Sequence, residues 1–168
     1  MNWIRLNPSP VAWAIRNGDQ EIGFTFHRMD EELDTGAILA QGAMPLGDEH
    51  TYDELESKFA ELAGRLLPQA LERVERGDPG DPQDESLASY QSFFGPDYVW
   101  IDWTRPVLDV YRQVKAWRFA SQLDGERGAL TDLDGETVRV LRTRLEPGKG
   151  REMQCGDGTL WIMETEPA

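Results

Sequence analysis

The 168-residue chain carries 31 Asp and Glu against 17 Lys and Arg, a formal net charge of −14, with 39% hydrophobic residues, six Trp and six Phe. That is enough apolar material for a packed core, and the acidic balance excludes an overall basic surface for a polyanion. One Cys excludes an internal disulfide framework and a cysteine zinc cluster, and two His leave little for a multi-histidine metal site, so no metal is expected.

The first residues, MNWIRLNPSP, lack the charged start and apolar core of a secretory signal. No apolar run reaches the ~18 residues of a membrane span. A cytoplasmic protein without membrane contact is the expectation. Ser9-Pro10 followed by VAWAIRNG predicts a short helix, with Ser9 as cap, Pro10 in the first turn and Gly18 as stop. Residues 22–29, IGFTFHRM, alternate as a strand, and 37–46 form a second apolar strand after a polar loop, DEELDTG. Thr51 and Glu54 make a capping-box pattern. Leu55, Phe59, Leu62, Leu66, Ala70 and Val74 then mark one helical face to about Gly77, with Pro68 expected to kink or divide the helix.

Gly77–Ser86, GDPGDPQDES, is a cluster of breakers and reads as a linker. Beyond it, 105–120 predicts a helix. Segments 128–133, 136–145, 151–155 and 159–164 predict strands, with Asp134-Gly135 and Gly156-Asp157-Gly158 as turns. A closed or part-closed barrel would solve the edge problem of such a small antiparallel unit. Charge divides along the chain as well. Residues 1–86 hold 18 acidic and 7 basic groups, and 87–168 hold 13 and 10. Between Arg105 and Arg151 the balance reverses to 10 basic and 7 acidic. Two strands and two helices in the first 75 residues or so are too few for an open parallel sheet covered on both faces. That part reads as the second half of a larger domain.

Five blocks in order carry a resemblance: residues 8–18, 22–30, 33–41, Pro82-Gln-Asp-Glu85 with Ser89-Tyr90 and Ile101-Asp-Trp103, and the end at Cys155–Ile162. Together they resemble the 10-formyltetrahydrofolate-dependent formyltransferase family, across nearly the whole chain. The resemblance implies an α/β fold, the C-terminal part of a Rossmann-like catalytic domain followed by a small OB-like β-barrel. The expected division is 1–79, a linker at 80–97, and 98–168.

It further implies transfer of a formyl group from 10-formyltetrahydrofolate to a substrate amine. Asp34 matches the family's catalytic Asp, and Asp30, Glu31, Glu32 and Leu33 match the loop lining the folate ring. The family's Asn-x-His pair has no match: Asn2 is at the wrong distance and Ile4 stands where the His belongs. The expectation is an N-terminally truncated member without turnover of its own. A non-catalytic binding or scaffold module is the alternative. The acceptor is left open between initiator methionyl-tRNA and a small amine such as an amino sugar nucleotide. His27 reads as a strand histidine near the site, His50 as a solvated residue beside a helix cap, and Cys155 as a small core residue. Trp103 and Trp117 read as packing anchors.

Overall fold

The computed structural model describes residues 9–31, 34–88, 91–120 and 128–168. In chain order the regular elements are α1 (Pro10–Asn17), β1 (Glu21–His27), β2 (Ile38–Pro45), α2 (Tyr52–Glu75), α3 (Val107–Phe119), β3 (Leu130–Leu133), β4 (Glu136–Arg144), β5 (Arg151–Gln154) and β6 (Thr159–Pro167). They fall into two compact units. Among the described residues, one holds Asp19–Gln91 and the other joins 9–18 to Ser92–Ala168.

In the first unit β1 and β2 pair antiparallel, with Ile22 opposite Met44, Phe24 opposite Gly42 and Phe26 opposite Ala40. The register slips at the end, where His27 faces Ile38. Helix α2 lies on this face through Leu55, Leu62, Leu66 and Ala70, all buried. A side chain at Gly42 would press on Leu62 and Leu66. The glycine therefore lets helix and sheet approach closely. Thr51 and Glu54 form the predicted capping box, each side chain taking the other's backbone N–H. The helix ends on Gly77, at φ 70°, with Gly77 N–H donating to Val74 O and Asp78 N–H to Arg73 O. That is the Schellman arrangement, which favours glycine at the left-handed position.

Pro68 does not divide α2, which runs unbroken for 24 residues. Pro68 sits on the exposed side, and the residue four before it is the exposed Gly64, with open space where a side chain would be. The carbonyl that loses its partner there is free to bond water, which softens the cost of the proline.

In the second unit the strands order β3-β4-β6-β5, all antiparallel. The β3–β4 hairpin turns on Asp134 (φ 56°) and Gly135 (φ 87°). Two consecutive positive φ values give a two-residue hairpin its twist, which is what the Asp-Gly pair supplies. Val110 and Val114 of α3 and Leu160 of β6 are buried to within about 2%. Helix α3 starts at Val107 rather than Arg105, because the Asp157 carboxylate caps the Val107 N–H at 2.7 Å from the β5–β6 turn. Trp117 donates to Tyr98 O and Trp103 to Thr131 Oγ1, both as packing anchors.

Helix α1 belongs to this second unit, in contrast to the expected 1–79 division. It packs against α3, and the Trp13 ring meets that of Phe94 at a tilt of 60°, with centroids 5.2 Å apart. The Arg16 guanidinium lies 4.5 Å over the Trp13 ring and 4.0 Å over that of Tyr98, a cation–π arrangement. Ser9 precedes α1 without capping it through its side chain, and Pro10 opens the first turn as predicted. No helix among the described residues is long and apolar enough to cross a membrane.

Candidate functional site

Asp34 stands in the loop between β1 and β2, at φ 58°. Aspartate is one of the few residues with a side chain that visit the left-handed region readily. Two positions on, a Cβ on Gly36 would coincide with the Arg28 carbonyl oxygen. The Asp-Thr-Gly run thus has a local explanation: an aspartate at the left-handed position, and a glycine where two backbones touch. Thr35 contributes its hydroxyl, which donates to Asp30 Oδ1 at 2.7 Å and draws the loop closed.

The Asp34 carboxylate is half exposed, and its Oδ1 lies 3.5 Å from His27 Nε2. The other ring nitrogen, His27 Nδ1, is 2.8 Å from Arg28 O. A carbonyl only accepts, so Nδ1 carries a proton. His27 is at the last position of β1, on the same sheet face as Thr25 and Gln41, whose side chains bond across the strands at 3.0 Å.

The backbone of the turn is fastened from the segment after α2. Gln83 Nε2 donates to Asp34 O at 2.8 Å and to Gly36 O at 2.6 Å. Asp81 and Ile38 exchange both backbone hydrogen bonds, at 2.8 and 2.9 Å. Arg28 donates to the carbonyls of Asp78 and Pro79. Arg73 bonds the carboxylates of Asp78 and Asp81 and also reaches Ile38 O. Those bonds hold both aspartates below their usual range, with the Arg73 hydrogen bond as the main cause in each. Gly77–Ser86, read as a linker, is therefore bound along the start of β2. Its glycines and prolines turn the chain, but its backbone groups pair.

Of the predicted site residues, Asp34 and Asp30 share this loop, and Glu31 is exposed beside them. Glu32 and Leu33 lie outside the described residues. Gln83 escaped the sequence reading as a site residue, because nothing in composition or periodicity marks a glutamine that bonds 49 residues away. His50 is not solvated. Its ring is 13% exposed, with Nδ1 accepting from Gly47 N–H at 3.1 Å and Nε2 2.8 Å from Lys58 Nζ. Cys155 is partly buried, and burial pushes its thiol up, which suits an inert role. No group of three metal-ligating side chains gathers among the described residues.

The family model described as "Formyl transferase" matches residues 8–71. Over 136 residues the chain is 35% identical to a methionyl-tRNA formyltransferase of Synechococcus sp., a match covering 80% of this chain and 40% of that protein. HypX from Aquifex aeolicus, solved in complex with tetrahydrofolic acid, superposes with a TM-score of 0.78 at 24% identity, over 96% of this chain and 30% of the other. WlaRD, a sugar 3N-formyl transferase, superposes with a TM-score of 0.68 at 17% identity, over 96% and 61%. At such identities the two structures establish the α/β fold. The chain spans about half the length of the curated relatives it matches, 40 to 53% of each. On the family model and these relatives together, the chain belongs to the formyltransferase family.

Proposed function

We propose that the chain serves the transfer of a formyl group from 10-formyltetrahydrofolate to a substrate amine, with Asp34 at the reacting centre. The observation that carries this reading is the Asp34 turn. Its carboxylate is presented to solvent beside a histidine, while Gln83 holds its backbone from both sides. Rigid placement of a carboxyl group beside an imidazole suits an acyl transfer to nitrogen. Residues 30–33 would line the folate ring. The composition of the loop suits that ring: it offers carbonyl groups and acidic side chains to the amino and N–H groups of a pterin, and Met29, 95% exposed, is an apolar surface next to them.

The acceptor we favour is a small amine, such as an amino sugar nucleotide. Arg139, Arg142, Arg144 and Arg151 are four of the ten basic residues of the 105–151 stretch. Each lies within ion-pair distance of a carboxylate, those of Glu166, Glu164, Glu146 and Asp134. Paired arginines have few charges left for phosphates. The names of the relatives keep initiator methionyl-tRNA as the second reading. We read the second unit as the family's OB-like domain, and the cytoplasm, where folate donors are at hand, as the place of action.

The test is release of tetrahydrofolate from 10-formyltetrahydrofolate in the presence of candidate amines, by the chain joined to a segment that carries the family's Asn-x-His pair. Asp34→Asn is expected to lower the rate about 100-fold or more. Folate binding without transfer would favour the scaffold alternative, and neither binding nor transfer would refute the reading. Tight tRNA binding that weakens steeply with salt would replace the small amine by tRNA.

A further inference from the structure

Independently of the reaction, we propose that the first unit pairs with a second copy of the chain, edge to edge along β1 and helix to helix along α2. Among the described residues β1 pairs with β2 alone. The outer edge of β2 is blunted: Asp81 pairs with Ile38, Arg73 reaches Leu39 O, and Pro45 has no N–H to offer. β1 carries no proline. Leu46 N–H donates to Gln20 O. Such pairs alternate along an antiparallel ladder, so Glu21, Gly23 and Thr25 turn their backbone groups away from β2.

Helix α2 overhangs that edge. Leu62, Leu66 and Ala70 are its buried side, and Gln69, Glu72 and Arg76 line a groove with residues 38–41 of β2. At about 100° per residue, the other flank, on the β1 side, carries Ala60, Ala63, Leu67, Leu71 and Val74. Leu67, Leu71 and Val74 are 43, 52 and 45% exposed. Beneath them Phe24 and Phe26 meet edge to face at 5.1 Å and are half-buried. Phe24 lies opposite Gly42, which faces Leu62 and Leu66, so both rings are on the face that α2 covers.

The surface is complementary to itself. Ala60 and Ala63 precede Leu67 by seven and four residues, and Val74 and Leu71 follow it by seven and four. Two such helices laid antiparallel set each large side chain against a small one, with Leu67 on the two-fold axis. The strand agrees. Leu62 and Leu66 stand over Gly42, and Arg73 reaches Ile38 O, so α2 runs antiparallel to β2. At about 1.5 Å per helical residue and about 3.4 Å per strand residue, Leu67 is level with Gln41 and with Thr25, its partner in register. The same axis therefore passes beside Thr25. It joins the outward backbone groups of the two Thr25 residues and sets Phe24 of each copy opposite Phe26 of the other, under the helices. The product is one continuous sheet, β2-β1-β1-β2, with both α2 helices on the same face.

Sedimentation equilibrium of the full chain is expected to show a dimer at about 10 μM, and Leu67→Glu to raise the dissociation constant about 100-fold. Leu67 is exposed in the single chain, so this variant is expected to keep the parent's circular dichroism. Cysteine cross-linking in a Cys155→Ser background tests the axis without a charge at the seam. Leu67→Cys is expected to join to itself. Ala60→Cys should join to Val74→Cys when the two are mixed, and Gln69→Cys, on the other flank, should not join. A dimer that Leu67→Glu leaves intact, or one that links through Gln69→Cys and not through Leu67→Cys, overturns this surface. A chain that stays monomeric to about 100 μM overturns the second copy as occupant and leaves the edge to a strand of another protein. Open-ended aggregation overturns the closed two-fold pair.

Discussion

Gly36 is the residue on which the Asp34 turn depends most directly. Its missing side chain leaves room for the Arg28 carbonyl, and no rotamer change relieves the clash, because the obstacle is backbone. Gly36→Ala is expected to cost about 3 kcal/mol or more, seen as a lower urea midpoint, together with a faster-exchanging Arg28 amide, which now donates to Ala37 O. A variant as stable as the parent would mean that the turn has another accessible conformation. This residue also marks how far the sequence could be read. Asp34 and Gly36 both fall within the 33–41 block, so their identity pointed to a family loop. The reason for them did not show, because it lies in Arg28, eight residues back, and in Gln83, 47 residues on. The same limit hid the pairing of His27 with Asp34: a period-two pattern says which face a strand residue takes, not which loop folds over its end.

At the scale of elements, the local rules worked where the chain satisfies itself locally. The capping box of α2, its glycine stop and the Asp-Gly hairpin involve neighbours within a few residues, and all three formed as written. The start of α3 shifted by two residues because its cap comes from Asp157, 50 positions away. The segment after α2 is the clearest case. Its breakers read as a linker, and the clamp of Arg73 on Asp78 and Asp81 that binds it to β2 was beyond reach of composition. That clamp has a sign in pH. Both aspartates titrate lower in the folded state than the ordinary value of 3.8. Their contribution to stability is therefore complete above that value and is lost as the pH falls through it toward the depressed folded values. Acid unfolding followed by circular dichroism is expected to begin at a higher pH in Asp78→Asn than in Asp78→Glu, which keeps a carboxylate for Arg73. Coincident acid transitions would show that the clamp adds nothing.

For the whole molecule, the opening figure of −14 takes a different meaning once partners are assigned. The excess sits mostly in residues 1–86, while the arginines of the second unit are balanced locally across strands. The order of the chain has a consequence of its own. Helix α1 is joined in space to Ser92–Ala168, with Asp19–Gln91 between them in sequence. The first unit is thus a guest inserted into a split host. Removing 19–91 and bridging Gly18 to Ser92 with a short glycine linker is expected to leave a host that unfolds cooperatively, with the tryptophan emission of the Trp13–Phe94–Trp117 cluster intact. A product that binds hydrophobic dyes and melts without a transition would show that the guest is needed. On the ribosome the two parts close in reverse order. The contacts of the guest are between neighbouring segments, whereas α1, made before it, waits for α3 some ninety residues later.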